Sequence, residues 1–332
     1  MNTSPVRIGV VGLGYWGPNI ARNFDAIPRC ELIWCCDAAP ERREAVKERF
    51  PQARVSAEID ELLADPDLDA VALATPVPSH AELSTRVLEA GKHCFVEKPL
   101  AQSVLDAERV VAAAAANRRV LMVGHLLEYH PGVQKLKELA RTGELGERIY
   151  YIYGNRLNLG KLRSDENALW SLGAHDVSVV LHLAGEEPHE AVAHGQSYVR
   201  PGIEDVVFCF LRFPSGLCAH LHLSWLDPHK ERRFTVVGSQ RMATFDDMAL
   251  EGKVTIYDKG FDEDSRGYGE YITRSGDIFS PQIANTEPLR IECQHFVDCI
   301  LDGTEPQSGG ENALRVVRVL ERLQHSLEER PA

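Results

Sequence analysis

Three glycines and one aspartate near the N-terminus have the types and spacing of a dinucleotide-binding site. An apolar strand begins at Val6 and runs into the motif Gly12-x-Gly14-x-x-Gly17. In such a motif the first glycine permits a tight turn, the second lets the backbone approach a pyrophosphate, and the third allows a helix to pack closely on a strand. Backbone N–H groups at the start of that helix then bind the phosphates. Asp37, 20 positions after Gly17 and directly after a second apolar strand, is the acid that the motif requires for the ribose hydroxyls.

The charges around Asp37 bear on the choice of cofactor. A carboxylate at this position repels the 2′-phosphate of NADP, so Asp37 favours NAD. Arg42 and Arg43 follow shortly after it and could accept that phosphate. We therefore expect NAD, and NADP stays open as the alternative.

The elements that must position these residues alternate between strands and helices over the first 123 residues. Strands are expected at about 6–11, 32–36, 70–74, 93–96 and 120–123, with a short one near residue 55. This alternation predicts an α/β domain with a doubly wound parallel sheet, in which ligands bind at the carboxyl ends of the strands. Gly12, Asp37, Thr75 and Lys98 all lie at such ends, and Ser79 is placed to cap the helix that follows Thr75.

The pattern changes after Gly124. Helices are expected at 131–141 and 174–183, and strands then follow one another at about 190–199, 204–213, 217–226, 231–237, 241–246 and 253–257. Consecutive strands with hairpin turns between them predict an antiparallel sheet, and hence an α+β second domain. The polar segment 260–285 is predicted to be a long loop, and two helices follow at 289–301 and 310–327. The predicted domains are residues 1–123 and 124–332.

Composition limits the class of protein. With 332 residues, 44% hydrophobic and 26% charged, the chain is long enough for two domains and typical of a globular enzyme. Its net charge of −13 argues against nucleic acid or an anionic membrane as partner. The eight cysteines show no CxxC spacing, which favours reduced, buried thiols. Because neither a signal peptide nor an apolar run of about 20 residues is found, we expect a cytoplasmic protein.

Further motifs resemble those of a known family, the Gfo/Idh/MocA oxidoreductases. The resemblance lies in Ala74-Thr75-Pro76-x-x-x-His80, Glu89-Ala90-Gly91-Lys92-His93 and Glu97-Lys98-Pro99. With the glycine motif and the strand-rich second half, it extends over essentially the whole chain. The family pairs a Rossmann domain with a C-terminal domain built on an open, mostly antiparallel sheet. The resemblance therefore implies this architecture and an NAD-dependent dehydrogenase.

The same resemblance implies which residues act. Lys98 matches the family's lysine beside the nicotinamide and the substrate hydroxyl, and His175 matches a histidine from the helix that opens the second domain. Because oxidation of an alcohol by NAD also requires a base, we expect His175 to take the hydroxyl proton and Lys98 to stabilise the oxygen or share in the proton relay. The alternatives are a solvated loop lysine and a helix-cap or core histidine. The cofactor-binding residues expected on this basis are Gly12, Gly14, Tyr15, Trp16, Gly17, Asp37, Thr75, Pro76, His80, Glu97 and Lys98.

The second domain departs from the family's pattern at one position. The commonest form has an aspartate two residues before Gly173, where this chain has Ser171, and an acid follows the histidine instead, at Asp176. This exchange leaves open which group orients His175 and whether Asp176 touches the substrate.

A narrower likeness bears on the substrate. The motifs Gly-Tyr-Trp-Gly at 14–17, Gly124-His125 with Glu128-Tyr129-His130-Pro131, and the segment 287–296 look like the sugar-nucleotide branch of the family. This branch oxidises the 3-hydroxyl of UDP-N-acetylglucosamine or its uronic acid. It implies a 3-keto product that feeds an aminotransferase in lipopolysaccharide or other glycan biosynthesis. A free sugar, an inositol or a glycoside cleaved through a 3-keto intermediate are alternative substrates. A non-catalytic NAD-sensing regulator is the alternative of another class.

The remaining polar residues supply candidate substrate contacts. We expect contacts from His125, Arg156, Asn158, Trp170 and Asp176, and weigh Lys161 and Arg163 equally as pyrophosphate ligands or as a solvated basic loop. The pair His220-x-His222 has no carboxylate near it in sequence, so we expect no metal site. One face of the antiparallel sheet is expected to mediate a homodimer or homotetramer, as in relatives.

Overall fold

The computed structural model describes residues 4–160, 162–164, 166–263 and 271–329, and these form two compact units. The first unit comprises residues 4–129 and Thr286–Arg318, and the second comprises residues 130–285 and 319–329. The sequence predicts a boundary at residue 123, with the whole C-terminal part in the second domain. In the structure, residues 286–318 belong to the first unit instead.

The first unit is built on a six-stranded parallel sheet. Its strands are β1 (Val6–Val11), β2 (Cys30–Cys36), β3 (Arg54–Ser56), β4 (Ala70–Leu73), β5 (His93–Glu97) and β6 (Leu121–Gly124). They are ordered β3-β2-β1-β4-β5-β6, so the strand order reverses between β1 and β4. Ligands bind parallel sheets in the crevice at such a reversal. The predicted fold class is confirmed for this unit.

Helices connect these strands. They are α1 (Gly17–Asp25), α2 (Pro40–Arg49), α3 (Ile59–Leu63), α4 (His80–Glu89) and α5 (Val104–Asn117). Ser103 caps α5 by accepting a hydrogen bond from the N–H of Asp106. The expectation that Ser79 caps α4 is wrong. Ser79 already lies in a 3₁₀ turn, and its hydroxyl donates to the hydroxyl of Thr75 and the carbonyl of Pro76.

A helix from the C-terminal part of the chain completes the core of the first unit. Helix α8 (Pro288–Asp302) brings Phe296 against Phe24 and Phe95, with ring centroids 5.8 to 6.1 Å apart in edge-to-face geometry. All three rings are fully buried. Burial of aromatic side chains gives a large hydrophobic stabilisation. This apolar contact is the reason why residues 286–318 belong to the first unit.

The second unit is built on an eight-stranded sheet. Its strands are β7 (Ile149–Leu159), β8 (Glu190–Gln196), β9 (Val206–Arg212), β10 (Cys218–Ser224), β11 (Leu226–Gly238), β12 (Met242–Asp246), β13 (Val254–Glu263) and β14 (Tyr271–Phe279). They are ordered β14-β13-β12-β11-β7-β10-β9-β8. Among the described strands of this sheet only β7 and β10 pair in parallel, so the predicted open, mostly antiparallel sheet is confirmed.

The two faces of this sheet differ in exposure. Along β9, Val207, Cys209 and Leu211 are buried, whereas Phe208 and Phe210 between them are exposed. Three helices are assigned wholly or partly to this unit: α6 (Pro131–Arg141), α7 (Ala174–Ala184) and the end of α9 (Gly310–Glu328). Helix α6 packs so closely on β12 that a Cβ at Gly132 would lie 2.4 Å from the ring of Phe245. The helices thus cover one face and leave the other aromatic and open.

The prediction of a long loop over 260–285 is wrong. Strand β13 continues to Glu263 and pairs with β14, which lies inside the predicted loop. Nearly every described side chain of β14 is exposed, on both faces of the strand. A strand with no buried face has no alternation of apolar and polar residues, so this one carries no periodic signal. Residues 264–270 of the predicted loop lie outside the described residues.

Two further expectations concern cysteines and the membrane. All eight cysteines are free thiols. Seven are buried and Cys218 is partly exposed. Among the described residues, no helix is long and apolar enough to cross a bilayer.

Candidate active site

The three glycines of the loop after β1 differ in what surrounds them. Gly12 has a φ of +87°, and a Cβ there would lie 2.6 Å from the carbonyl oxygen of Ala74. A Cβ at Gly17 would lie 1.9 Å from the carbonyl oxygen of Gly12. Gly14 has only the guanidinium of Arg42 nearby, at 3.8 Å. Gly12 and Gly17 are therefore required by close packing. Gly14 borders open space, which a loop that receives a pyrophosphate needs.

A cleft of ≈ 560 Å³ opens beside this loop. It is lined by residues from the strand ends and the loops after them, among them Gly12, Gly14, Asp37, Arg42, Thr75 and Pro76. Trp16, at the start of α1, makes no side-chain capping bond to that helix. No side-chain cap from Trp16 therefore competes with a phosphate for the N–H of Gly17, whereas Pro18 has no N–H and the N–H of Asn19 donates to the carbonyl oxygen of Trp16 at 2.9 Å. The residues present fit a dinucleotide. Tyr15 and Trp16 contact each other edge to face and are exposed.

Asp37 follows β2 and holds the glycine loop as well as facing the cleft. Its carboxylate accepts the N–H of Leu13 at 2.6 Å and that of Ala39 at 2.8 Å, and the guanidinium of Arg42 lies 3.4 Å away. Burial raises the pKa of Asp37, but the two N–H groups and Arg42 outweigh it and hold the pKa below its usual value. Arg43 instead donates to the backbone carbonyls of Asp37 and Ala38. Asp37 is thus ionised and lines the cleft.

Three titratable residues gather at the carboxyl ends of β5 and β6. Lys98 directly follows β5, the Glu97 carboxyl carbon lies 3.5 Å from where a Cβ of Gly124 would be, and His125 directly follows β6. Burial lowers the pKa of His125 to about 3, assisted by the Lys98 charge. Burial raises the pKa of Glu97 to about 7, although Lys98 opposes it.

The ring of His125 lacks the partners that a buried polar group normally has. It is 1% exposed, and neither ring nitrogen has a hydrogen-bond partner in the part of the chain that the structure describes. A buried polar group without a partner is costly. A ligand at this edge of the sheet would satisfy it, which agrees with the prediction that His125 binds substrate without testing it.

His80 uses both of its ring nitrogens inside the protein. Nδ1 lies 2.8 Å from the carbonyl oxygen of Pro99, and Nε2 lies 2.9 Å from that of Thr75. The ring therefore joins the loop after β4 to the loop after β5. Both ring nitrogens therefore face backbone carbonyl oxygens. The predicted direct contact of His80 with the cofactor stays a prediction.

Two further buried acids near these residues were not singled out for chemistry from the sequence. Glu128 and Glu292 are at most 1% exposed. Burial raises the pKa of Glu292 well above its usual value, and the charges of Glu97 and Glu128 add to the shift. Glu97, Glu128 and Glu292 lie on three separate elements, so their spacing gives no local sequence signal.

In the second unit, α7 positions His175. A π-helical turn, Leu169–Gly173, leads into the helix, and His175 is its second residue. A Cβ at Gly173 would lie 2.9 Å from Leu223 of β10, so the glycine allows the turn to approach the sheet closely. The hydroxyl of Ser178 donates to the backbone carbonyl of His175 at 2.8 Å. The side chain of His175 is partly exposed, and its Nδ1 atom is buried.

A buried ion pair fixes the start of α7 to the sheet. Arg156 of β7 donates through Nε to the carboxylate of Asp176, and the two side chains are 9% and 1% exposed. Breaking such a buried pair on one side leaves an uncompensated charge. Arg156 and Asn158 both lie within β7. Their predicted substrate contacts, and that of Asp176, are not tested by this arrangement.

The other predicted contacts lie nearby in sequence. Trp170 is in the π-helical turn and is partly exposed. Its backbone N–H donates to the side-chain oxygen of Asn167 at 3.1 Å. Ser171 is 8% exposed. The carboxamide oxygen of Asn158 is buried, with no partner among the described residues. Arg163 pairs with Glu166 at 3.0 Å and is half exposed. Lys161 lies outside the described residues.

The histidine pair on β10 belongs to the exposed face of the second sheet. His220 stacks on Tyr153 with ring centroids 5.2 Å apart, and His222 stacks on Phe208 at 4.4 Å. Within the described residues, no group of three or more histidine, cysteine or acidic side chains could hold a metal ion. The two rings therefore serve as part of an aromatic surface.

Comparison with known families covers both units. Residues 6–125 match the family model described as "Oxidoreductase family, NAD-binding Rossmann fold", and residues 133–244 match the "GFO/IDH/MocA C-terminal domain". The two matches fall on the units that carry the glycine loop and His175, respectively.

Individual relatives include two kinds of dehydrogenase. The chain is 30% identical over 256 residues to the UDP-N-acetylglucosamine 3-dehydrogenase of Acidithiobacillus ferrooxidans, covering 77% of this chain and 78% of that protein. It is 26% identical over 335 residues to the myo-inositol 2-dehydrogenase of Thermotoga maritima, covering 98% and 97%. A solved structure of the UDP-N-acetylglucosamine 3-dehydrogenase superposes with a TM-score of 0.83 at 25% identity over 98% of both chains.

Proposed function

Because the chain belongs to the Gfo/Idh/MocA oxidoreductase family, we propose that it oxidises the 3-hydroxyl of a UDP-N-acetylhexosamine, with NAD as hydride acceptor. UDP-N-acetylglucosamine is the first choice of substrate. The product is then the 3-keto sugar nucleotide, which an aminotransferase would consume.

One observation carries this choice. The same relative, a UDP-N-acetylglucosamine 3-dehydrogenase, matches the chain both at 30% sequence identity and as a superposed structure over 98% of its length. The motifs at residues 14–17, 124–125 and 287–296 support it, since they resemble the sugar-nucleotide branch.

NAD supplies the hydride-accepting nicotinamide when it is bound, and the chain supplies position and proton transfer. The glycine loop and the start of α1 would hold the pyrophosphate, and Asp37 would accept hydrogen bonds from the ribose hydroxyls. Lys98 would donate to the substrate hydroxyl and stabilise negative charge on its oxygen. His175 would take the hydroxyl proton, because an imidazole titrates near neutral pH.

For the sugar nucleotide we propose a division of roles in the second unit. Asn158 and Trp170 would contact the substrate directly, since the buried amide oxygen of Asn158 lacks a partner among the described residues. Arg156 and Asp176 would act through the placement of His175, because each neutralises the other. Arg163, half exposed, is the candidate for the diphosphate. In the first unit, His125 would offer its unpartnered ring to the substrate.

The setting of the protein is part of the proposal. The exposed aromatic face of the second sheet, with Tyr150, Tyr151, Phe208 and Phe210, supports self-association into a homodimer or homotetramer. Eight free thiols support a reducing compartment, the cytoplasm.

The test follows NADH absorbance and product mass after mixing the protein with NAD and a panel of substrates. We expect NADH and a product lighter by two hydrogens with UDP-N-acetylglucosamine. Activity with the uronic acid instead would keep the chemistry and change the specificity. The assay is repeated with 2-oxoglutarate, which would accept the hydride from NADH that stays bound to the protein. No product from any UDP-sugar under either condition would reject the proposal.

An inositol is the second candidate substrate. The myo-inositol 2-dehydrogenase of Thermotoga maritima aligns over 98% of this chain, although at lower identity. Both substrates are secondary alcohols, so the same lysine and histidine would serve. myo-Inositol and scyllo-inositol in the same panel distinguish the two candidates directly.

A further inference from the structure

His80 lies between two backbone carbonyl oxygens. Its ring is 1% exposed at the start of α4, with Nδ1 at 2.8 Å from the oxygen of Pro99 and Nε2 at 2.9 Å from that of Thr75. Thr75 and the following Pro76 line the cleft beside the glycine loop, and Pro99 follows Lys98. One ring thus links a cofactor-lining loop to the loop of the catalytic lysine.

The number of protons on this ring decides how many of the two contacts are hydrogen bonds. A carbonyl oxygen only accepts, so each contact needs an N–H on the ring. A neutral imidazole has one N–H, and its other nitrogen presents a lone pair to an oxygen at hydrogen-bond distance. Only the imidazolium, with two N–H groups, can donate to both carbonyls. The observed geometry is therefore complete only in the protonated state.

The surroundings of the ring work against that state when no ligand is bound. Burial lowers the pKa of His80, and the charge of Lys98 lowers it further, while the two carbonyls raise it. Among the described residues, Lys98 is the charged group that lowers the pKa of His80. The ring is therefore largely neutral near pH 7, and one of its two contacts is repulsive.

We propose that His80 takes up a proton when the dinucleotide binds, so that the imidazolium fastens the Thr75 loop and the Pro99 loop together. Two effects of the bound dinucleotide favour the proton. Its phosphates bring negative charge into the cleft that Thr75 lines, which offsets the field of Lys98. It also packs against the Thr75 loop, which can then no longer move away from a repulsive lone pair.

This makes His80 a positioning residue, because it acts on the cofactor and on Lys98 through the backbone. By linkage, a proton that favours dinucleotide binding must itself be bound more tightly in the complex. The affinity for NAD should then weaken as the pH rises through the range in which the proton is taken up. The effect is independent of which sugar the protein oxidises.

The test is calorimetry of NAD binding to the whole protein, without sugar substrate, in two buffers of different ionisation enthalpy. The difference between the two heats gives the number of protons taken up. We expect a substantial fraction of one proton per NAD at about pH 7, and a Kd that rises by up to tenfold per pH unit at about pH 7 to 8. A wild-type protein that binds NAD without proton uptake would overturn the proposal.

Variants assign the proton to its residue. His80→Gln keeps an amide donor but cannot titrate, so its proton uptake should be lost and its Kd should not change with pH. Glu97, which directly precedes Lys98 and has a pKa of about 7, is the competing site for the proton. His93→Gln, at the partly buried histidine that begins β5, is the matched control and should retain the uptake. If the uptake disappears in Glu97→Gln and persists in His80→Gln, the proposal is wrong.

A measurement on the wild-type chain covers the case in which His80→Gln does not fold. In NMR spectra of protein labelled with ¹⁵N-histidine, one buried imidazole should have one N–H without NAD and two N–H groups when NAD is bound. A spectrum in which no imidazole gains a proton on saturation with NAD contradicts the proposal without any variant.

Discussion

The two units hold their reactive side chains by different means. In the first unit, Lys98 follows the end of a strand, and its neighbours Glu97, His125 and His80 are groups whose protonation depends on burial and on the lysine charge. In the second unit, His175 stands on a helix whose first turn is fixed by the Arg156–Asp176 ion pair. The first arrangement includes Glu97, which titrates near neutral pH, whereas the second is a buried ion pair.

This difference separates adaptability from rigidity. A cluster of shifted titratable groups responds when charge enters the site, as a dinucleotide does. A buried ion pair responds little, because neither partner can lose its charge without leaving the other uncompensated. We infer that the first unit adjusts to the cofactor, whereas the second presents a base of fixed position to the substrate.

The largest expected effect is on turnover. Lys98→Ala and His175→Ala should each reduce kcat by about 10²- to 10⁴-fold, because each removes a group that acts on the transferred proton or the charged oxygen. NAD affinity should fall much less, as measured by calorimetric titration. Lys47→Ala, at an exposed position of α2, is the control and should turn over like wild type. Near-normal turnover in both test variants would show that Lys98 and His175 are not the reactive side chains of the two units.

The second effect is on stability and tests the rigidity of the second unit. Arg156→Met leaves the carboxylate of Asp176 buried and unneutralised, so the free energy of unfolding should fall by about 3–5 kcal/mol. Arg163→Met removes a half-exposed pair with Glu166 and should cost less than about 1 kcal/mol. Urea denaturation of the three proteins measures both changes.

A double variant completes this test. Arg156→Met with Asp176→Leu removes both charges and should recover much of the lost stability, because well-packed apolar residues often replace a buried pair without loss. Equal stability of Arg156→Met and Arg163→Met would show that the pair does not fix the helix.

The smallest effect is a pH dependence confined to the first unit. Burial raises the pKa of Glu97 to about 7 from its ordinary value of 4.5. The folded protein therefore holds a proton on Glu97 that the unfolded chain has lost between these two pH values. Its contribution to stability is present at low pH and is lost as the pH rises through 7. Glu97→Gln should remove this decline, measured as the unfolding free energy at about pH 5 and pH 8. An unchanged decline would show that Glu97 does not titrate there.

The sequence predicts the first unit better than the second for a physical reason. Gly12, Gly14, Gly17 and Asp37 act at fixed spacings within one strand–helix–strand unit, so their roles are visible in the chain itself. The linkage made by His80 is not, because its partners are carbonyl oxygens, which every residue has. Only the three-dimensional path of the backbone brings them to the ring.

In the second unit the decisive contacts join distant side chains. Arg156 and Asp176 are separated by 20 residues, and Asn167 reaches Gln324 across 157. Neither spacing corresponds to a helix or strand repeat, so the sequence does not predict these contacts. The exchange at Ser171 and Asp176 indicates a changed position of the acid but not its partner. Strand β14 was missed for the related reason that a strand exposed on both faces shows no alternation.

The thiols offer a consequence for chemical labelling. Burial raises the pKa of Cys30 and Cys35 to about 12, so about one such thiol in 10⁵ is a reactive thiolate at neutral pH. Cys218 is partly exposed, on the strand that also carries His220 and His222. An alkylating dye should therefore attach at one position of the native chain, without engineered cysteines. The rate of attachment then reports how much of the aromatic face another molecule covers.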